Sequence, residues 1–299
     1  MANVEVEPVV NKTSKKSADP PKAERVSDGV DIKKLLEAGA HFGHKTSRWH
    51  PKMAPYIHSK RNGSHIIDLT HTVKQLETAL AFLNKTASEG KQVLLVGTKR
   101  QAKEIVNKAA AATNMPYVVE RWMGGMLTNH RTMGARVKHL KDLEAKMESG
   151  ALAAKYSKLE QQRFQEEIDH MNFLYGGIKE MSTRIGAVYV VDVLHEANAV
   201  REARKLGIPV VAIVDTNADP GLVDYPIPCN DDAIKAIQLI TDYATQAILS
   251  GKAKVKVIAD KTDKVAKPEA AEKANSTPEK EKTNERKEEV KEKLAPVRV

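Results

Sequence analysis

Apolar residues in this chain follow two rhythms. Val93–Val96, Tyr117–Val119, Ala187–Val191 and Val210–Val214 are short, nearly unbroken apolar runs, the pattern of strands buried on both faces. Between them, apolar positions recur every three or four residues. Val73, Leu76, Leu80 and Leu83 mark a helix from Thr70 to Gly90. Further helices are expected from about Lys99 to Ala112, from Glu196 to Leu206, and from Asp231–Asp232 to about Leu249, with Gly251 ending the ordered core. Four or five strands alternating with helices predict an α/β fold with a parallel sheet covered on both sides. Its central crossover unit is residues 93–129, and ligand sites in such sheets lie beyond the carboxyl ends of the strands.

Other stretches break the rhythm. Residues 1–26 lack a sustained period and are expected to form a disordered arm. Asp28 or Asp31 can cap the short helix IKKLLEAG, which Gly39 would end. Residues 40–63, with Pro51, Pro55 and several glycines, read as an ordered loop before a strand at Ser64–Leu69. From about 132 to 175, Met133, Val137, Leu140 and Met147, then Phe164, Ile168, Met171 and Tyr175, mark two charged amphipathic helices around a break at Ser149–Gly150. That is a helical hairpin inserted into the core. The run DTNADPGLVDYPIPCNDD reads as a long irregular acidic connection. Residues 252–299, rich in lysine and glutamate, read as a disordered charged tail, which leaves 27–251 as the core.

Charge sharpens this picture. The chain has 299 residues, a net charge of +9 and one cysteine, Cys229, so no intrachain disulfide is available. No apolar stretch reaches bilayer length, and the expectation is a soluble cytosolic protein. Three windows carry bases and no acid: Lys45, Arg48, Lys52, Lys60 and Arg61; Lys91, Lys99, Arg100 and Lys103; Arg121, Arg131, Arg136, Lys138 and Lys141. Residues 206–234 reverse this, with Asp215, Asp219, Asp224, Asp231 and Asp232 and no base. Such segregation points to a polyanionic partner such as RNA.

The candidate chemistry is spare. GTKR, after the first core strand, offers backbone N–H groups and two cations at a helix N-terminus, which suits a phosphate but fits an ordinary strand-to-helix turn equally. It lacks P-loop spacing, and no GxGxxG follows a strand. His41, His44, His50, His58 and His65 form no regular ligand set, and no cysteine or acid shares their window, so no metal is expected. Trp49 and Trp122 each follow an arginine and can stack on a base or brace a loop. Asp192, His195 and Glu196 lack a nucleophile context, and Asp215, Thr216 and Asp219 lack anything to complete an enzyme site.

Five blocks in order, LLEAGAHFGHKTSRWHPKMAPYI, RNGSHIIDL, VLLVGTKRQAKEIV, RWMGGMLTN and LGIPVVAIVDTNADPGLVDYPIPCNDDAI, together resemble the bacterial small-subunit ribosomal protein two family from about Asp31 to Gly251. The resemblance implies a flavodoxin-like three-layer αβα core with a protruding helical hairpin. It also implies a structural part in the small ribosomal subunit and contact with small-subunit ribosomal RNA. Neighbouring small-subunit proteins, among them the large ribosomal protein one, are implied partners. Carried over by motif, the RNA-facing candidates are Lys45, Arg48, Trp49, His50, Lys52, Arg61, Lys99, Arg100, Arg121, Trp122, Thr128 and Asn129. Arg131, in the third acid-free window, joins them. No cofactor, membrane or small-molecule substrate is implied. The rival reading is an α/β enzyme using GTKR for phosphate and strand-end aspartates for a metal.

Overall fold

The computed structural model describes residues 30–265, without the side chains of 153–154 and 256–265. The expected arm (1–26) and the tail beyond Val265 lie outside the described residues. The core belongs to a compact unit ending at Lys256.

A five-stranded parallel sheet forms the centre: β4 (Gln92–Val96), β5 (Tyr117–Val118), β6 (Ile185–Val191), β7 (Val210–Val214) and β8 (Tyr225–Pro228), in the order β5-β4-β6-β7-β8. Counted among themselves these strands run 2-1-3-4-5, the flavodoxin-like arrangement, with its switch point between β4 and β6. Alternation along the strands sorts the core into two layers. Val93, Leu95, Ala187, Tyr189, Val191, Val211 and Ile213 face one cluster with α1 (Ile32–Glu37), α2 (Leu69–Ser88), α3 (Lys103–Thr113) and α8 (Ile234–Val265). Leu94, Val96, Val188, Val190, Val210, Ala212 and Val214 face the other, with α7 (Ala197–Lys205) and the base of the hairpin. The expected three-layer architecture is present.

Several expectations need correction. Residues 40–63 are not a plain loop: β1 (Phe42–Lys45) and β2 (Ile57–Arg61) flank β3 (Ser64–Ile67) in a small antiparallel sheet of order β1-β3-β2. The turn Asn62–Gly63, both at positive φ, closes the β2–β3 hairpin, as an Asn-Gly pair favours. Within the acidic connection, YPIP is the edge strand β8, paired to β7 through Ala212 with Pro226 and Val214 with Pro228. The prolines disguised it, because their missing N–H groups are tolerated only at a sheet edge. The hairpin comprises α4 (His130–Glu148), a short α5 (Ala151–Lys155) and α6 (Lys158–Tyr175), the last begun by a Ser157–Glu160 capping box. Its seam joins Met133, Leu140 and Leu143 to Ile168, Met171 and Tyr175.

The largest correction concerns Gly251, which does not end α8. The helix runs through it to Val265, so the first residues assigned to the disordered tail are helical. A Cβ at Gly251 would stand 2.4 Å from the Asn84 carbonyl oxygen and 2.7 Å from Ala87 Cβ. The glycine is there because α8 crosses α2 closely. Gly251→Ala should therefore destabilise the protein by roughly 1–3 kcal/mol, since a backbone clash outweighs alanine's helix propensity gain of about 1 kcal/mol. Thermal denaturation of the variant measures this, and a raised midpoint would refute the packing role.

Candidate nucleic-acid interface

The turn after β4 is the first element of the site. Val96 and Gly97 end the strand, and Gly97 allows the chain to turn against α3, where a Cβ would stand 2.8 Å from Val106. The following helix begins only at Lys103, four residues later than expected. The N–H and Oγ1 of Thr98 both donate to Glu196 Oε1, at 2.7 and 2.5 Å. Of the two readings of this turn, phosphate contact or ordinary strand-to-helix turn, the structure favours the second at Thr98, whose amide is already engaged by a carboxylate that burial pushes above the ordinary pKa range.

Lys99 is equally occupied. Its ammonium reaches Asp192 Oδ2 (3.1 Å), Asp231 Oδ1 (2.9 Å) and Asp232 Oδ1 (2.8 Å), with the lysine only 14% exposed. Burial works against the charge, but the aspartates outweigh it and hold the lysine above its usual pKa. Asp192 occupies left-handed backbone space (φ 71°), which aspartate tolerates, and its Oδ1 accepts from the N–H groups of Leu194 and His195. Asp231 is pushed up to about 7 by burial and by the neighbouring Asp192 and Asp215, against the pull of Lys99.

The small antiparallel sheet docks on this cluster. His44 Nδ1 lies 3.0 Å from Asp215 Oδ2 and its Nε2 lies 3.6 Å from Asp232 Oδ2. The His44 N–H donates to Thr216 Oγ1 at 2.9 Å, and the His50 N–H donates to the Thr216 carbonyl at 2.8 Å. Gly43 is required here, since a Cβ would stand 2.6 Å from Thr216 Cγ2. Local reading of the histidines saw no acid near them, because these partners sit some 170 residues away. His44, Asp231 and Asp232 could together hold a divalent cation, each offering one ligand atom within 4.8 Å of the others. Lys99 supplies positive charge to the same carboxylates.

After β5 the chain enters RWMGGMLTN. Trp122 Nε1 donates to Glu202 Oε1 at 3.1 Å, and Thr128 Oγ1 donates to Glu202 Oε2 at 3.2 Å. Both side chains therefore brace the loop against α7. Asn129 caps α4 by accepting from the Thr132 N–H, and Arg131 lies exposed in the first turn. Sequence reading missed Glu202, one more acid on a charged helix with no local sign of its role.

The remaining candidates divide by their partners. Lys52 Nζ is bound to Asp219 at 2.7 Å, and His50 caps a short helical turn by accepting from the Lys52 N–H. Trp49 is exposed, with its ring 5.3 Å from His65 and Lys60 Nζ 5.9 Å above it. Lys45, Arg48, Arg61, Arg100, Arg121 and Arg131 are exposed, and none of them forms an ion pair with a described carboxylate. They form two groups. One lies on the small sheet at the end of β7, and the other on the turns after β4 and β5. With strands about 4.8 Å apart, the ends of β5 and β7 are separated by about 14 Å, so this is an extended surface rather than one anion pocket.

The Asp215 hydrogen bond is the main cause of the His44 pKa rising from 6.5 to about 9. A protonated His44 stabilises the fold fully below pH 6.5, and this contribution is lost as pH rises through about 9. Asp231 is half ionised at about pH 7 and almost fully ionised about one pH unit higher, so the window from about 8 to 9 isolates the histidine. Denaturant midpoints should fall across that window in the parent chain and stay level in His44→Asn; equal slopes in both would refute the assignment.

Against known proteins, the family description "Ribosomal protein S2" matches residues 35–251. The small ribosomal subunit protein uS2 of Coprothermobacter proteolyticus is 52% identical over 223 residues, covering 75% of this chain and 83% of that protein. The uS2 protein of Chloroflexus aggregans is 49% identical over 222 residues, covering 74% and 93%. That of a Roseiflexus species is also 49% identical over 222 residues, covering 74% and 84%. With the match spanning the whole α/β core and the hairpin, this chain belongs to the ribosomal protein S2 family.

Proposed function

We propose that the chain docks on small-subunit ribosomal RNA through the exposed cations around the strand ends: Lys45, Arg48 and Arg61 on the small sheet, Arg100 after β4, and Arg121 and Arg131 around the loop after β5. As a member of its family, the chain is a structural constituent of the small subunit of the cytoplasmic ribosome, beside ribosomal RNA and other ribosomal proteins, and not an enzyme. The observation that carries the RNA-facing assignment is the pairing pattern. Lys52 and Lys99 are matched to aspartates, while these six cations face solvent without a carboxylate partner among the described residues. Unmatched cations neutralise phosphates and release counterions, giving affinity that falls steeply with salt. Trp49, exposed beside Lys60, suits stacking on a base or ribose. Trp122, Thr128, Asn129, His50, Lys52 and Lys99 hold the surface in shape.

Membership of the family supports neighbouring small-subunit proteins as further contacts, with ribosomal protein one of the small subunit among the candidates.

Sedimentation of tagged chain with small subunits across a salt series tests this reading. Paired substitutions Arg48→Ala with Arg61→Ala, and Arg121→Ala with Arg131→Ala, should each weaken association. Each should also flatten the salt dependence by about one unit of slope for every phosphate no longer neutralised. Association and slope unchanged in both pairs would refute it.

A further inference from the structure

Glu202 lies on α7 but makes its bonds in the loop after β5. Its Oε1 accepts from Trp122 Nε1 (3.1 Å) and the Gly125 N–H (2.7 Å). Its Oε2 accepts from the N–H groups of Leu127 (3.0 Å) and Thr128 (3.2 Å) and from Thr128 Oγ1 (3.2 Å). Five donors fill the roughly four lone-pair sites of one carboxylate. Gly125 stands at φ 86°, and a Cβ there would press on Asn129 Cβ at 3.1 Å, so the curl of the loop needs this glycine. Successive N–H groups turned inward form a nest of the kind that binds anions, and here a side chain fills it. Burial opposes the Glu202 charge, yet these donors hold its carboxyl below the ordinary range. Six positions earlier on the same helical segment, Glu196 fastens Thr98 in the turn after β4.

We propose that Glu202 is a positioning residue for RNA recognition, an internal anion around which the loop 121–129 is set before RNA arrives. This rests on the reading of that loop as an RNA contact. It also makes a prediction opposite in sign to simple electrostatics. Removing an acid beside a basic surface should strengthen phosphate binding by Coulomb attraction alone. If Glu202 instead preorganises Arg121 and Arg131, its removal must weaken binding, because the loop's ordering cost then falls on the binding step.

The test uses the full chain, small-subunit ribosomal RNA over a salt series, and the indole N–H resonance of Trp122. Glu202→Gln should lower affinity at least about fivefold, the scale of one ordinary hydrogen bond, while leaving the salt slope unchanged because every cation is kept. The Trp122 resonance should shift as its acceptor is weakened. Glu104→Gln, an exposed acid on α3, should bind as well as the parent or better. Affinity in Glu202→Gln equal to or above the parent would overturn the proposal. Should that variant fail to fold, Trp122→Phe and Thr128→Val each remove one donor and keep the loop's bulk. Both should bind about twofold more weakly, and unchanged binding in both overturns the proposal. If Arg121→Ala with Arg131→Ala also leaves binding unchanged, the RNA reading of the loop itself has failed, which is distinct from a failure of Glu202 alone.

Discussion

One ammonium group ties the top of this molecule together. Lys99 Nζ sits among carboxylates from the end of β6 and the start of the segment leading into α8, at the switch point where sheet order reverses. Without it, Asp192, Asp231 and Asp232 would face one another with Asp215 close behind, an arrangement of like charges in a partly dry setting. Removing one partner from such a buried group is far more costly than removing a surface pair, commonly about 3–5 kcal/mol. His44 answers the remaining charge on Asp215 and so brings the small antiparallel sheet onto the parallel one. The second sheet is therefore placed by electrostatics as well as by apolar contact, where Met53 is fully buried.

The same network sorts the cations into two kinds. Residues that look alike in sequence, Lys99 and Arg100 above all, separate completely in space: one is bound to three aspartates, the other faces solvent. Acidic segments late in the chain serve as the internal counterions of basic segments early in it. Among the cations left unmatched are Lys45, Arg48, Arg61, Arg100, Arg121 and Arg131, around the strand ends.

The core was legible because its signal is local. Runs such as Val93–Val96 and Val210–Val214 state a doubly covered strand without reference to anything distant, and Gly90, at positive φ, stands just past the end of α2 as its place in the sequence implies. Where the reading failed, the deciding interaction lay far along the chain. Gly251 looked like a helix stop because its neighbour Asn84 is invisible from the sequence. Tyr225–Pro228 looked irregular because its pairing with β7 leaves the prolines facing the unpaired side. His44 looked unpartnered, and Asp192 and Glu196 looked idle, for the same reason. The resemblance to a family pointed to residues of the basic loops, but it could not tell which of them are bound to acids of the chain itself, as Lys52 and Lys99 are.

The two borders of the parallel sheet have a consequence for the chain before it meets RNA. At one border, Pro226 and Pro228 bring no N–H groups, and Thr72 Oγ1 donates to the Pro228 carbonyl at 2.6 Å. At the other, β5 is two residues long, and Gly177 fits so tightly over the Tyr117 carbonyl that no side chain could stand there. A foreign strand finds little ladder to extend at either side. Within the parallel sheet, neither border therefore invites a second copy of the chain to pair with it edge to edge.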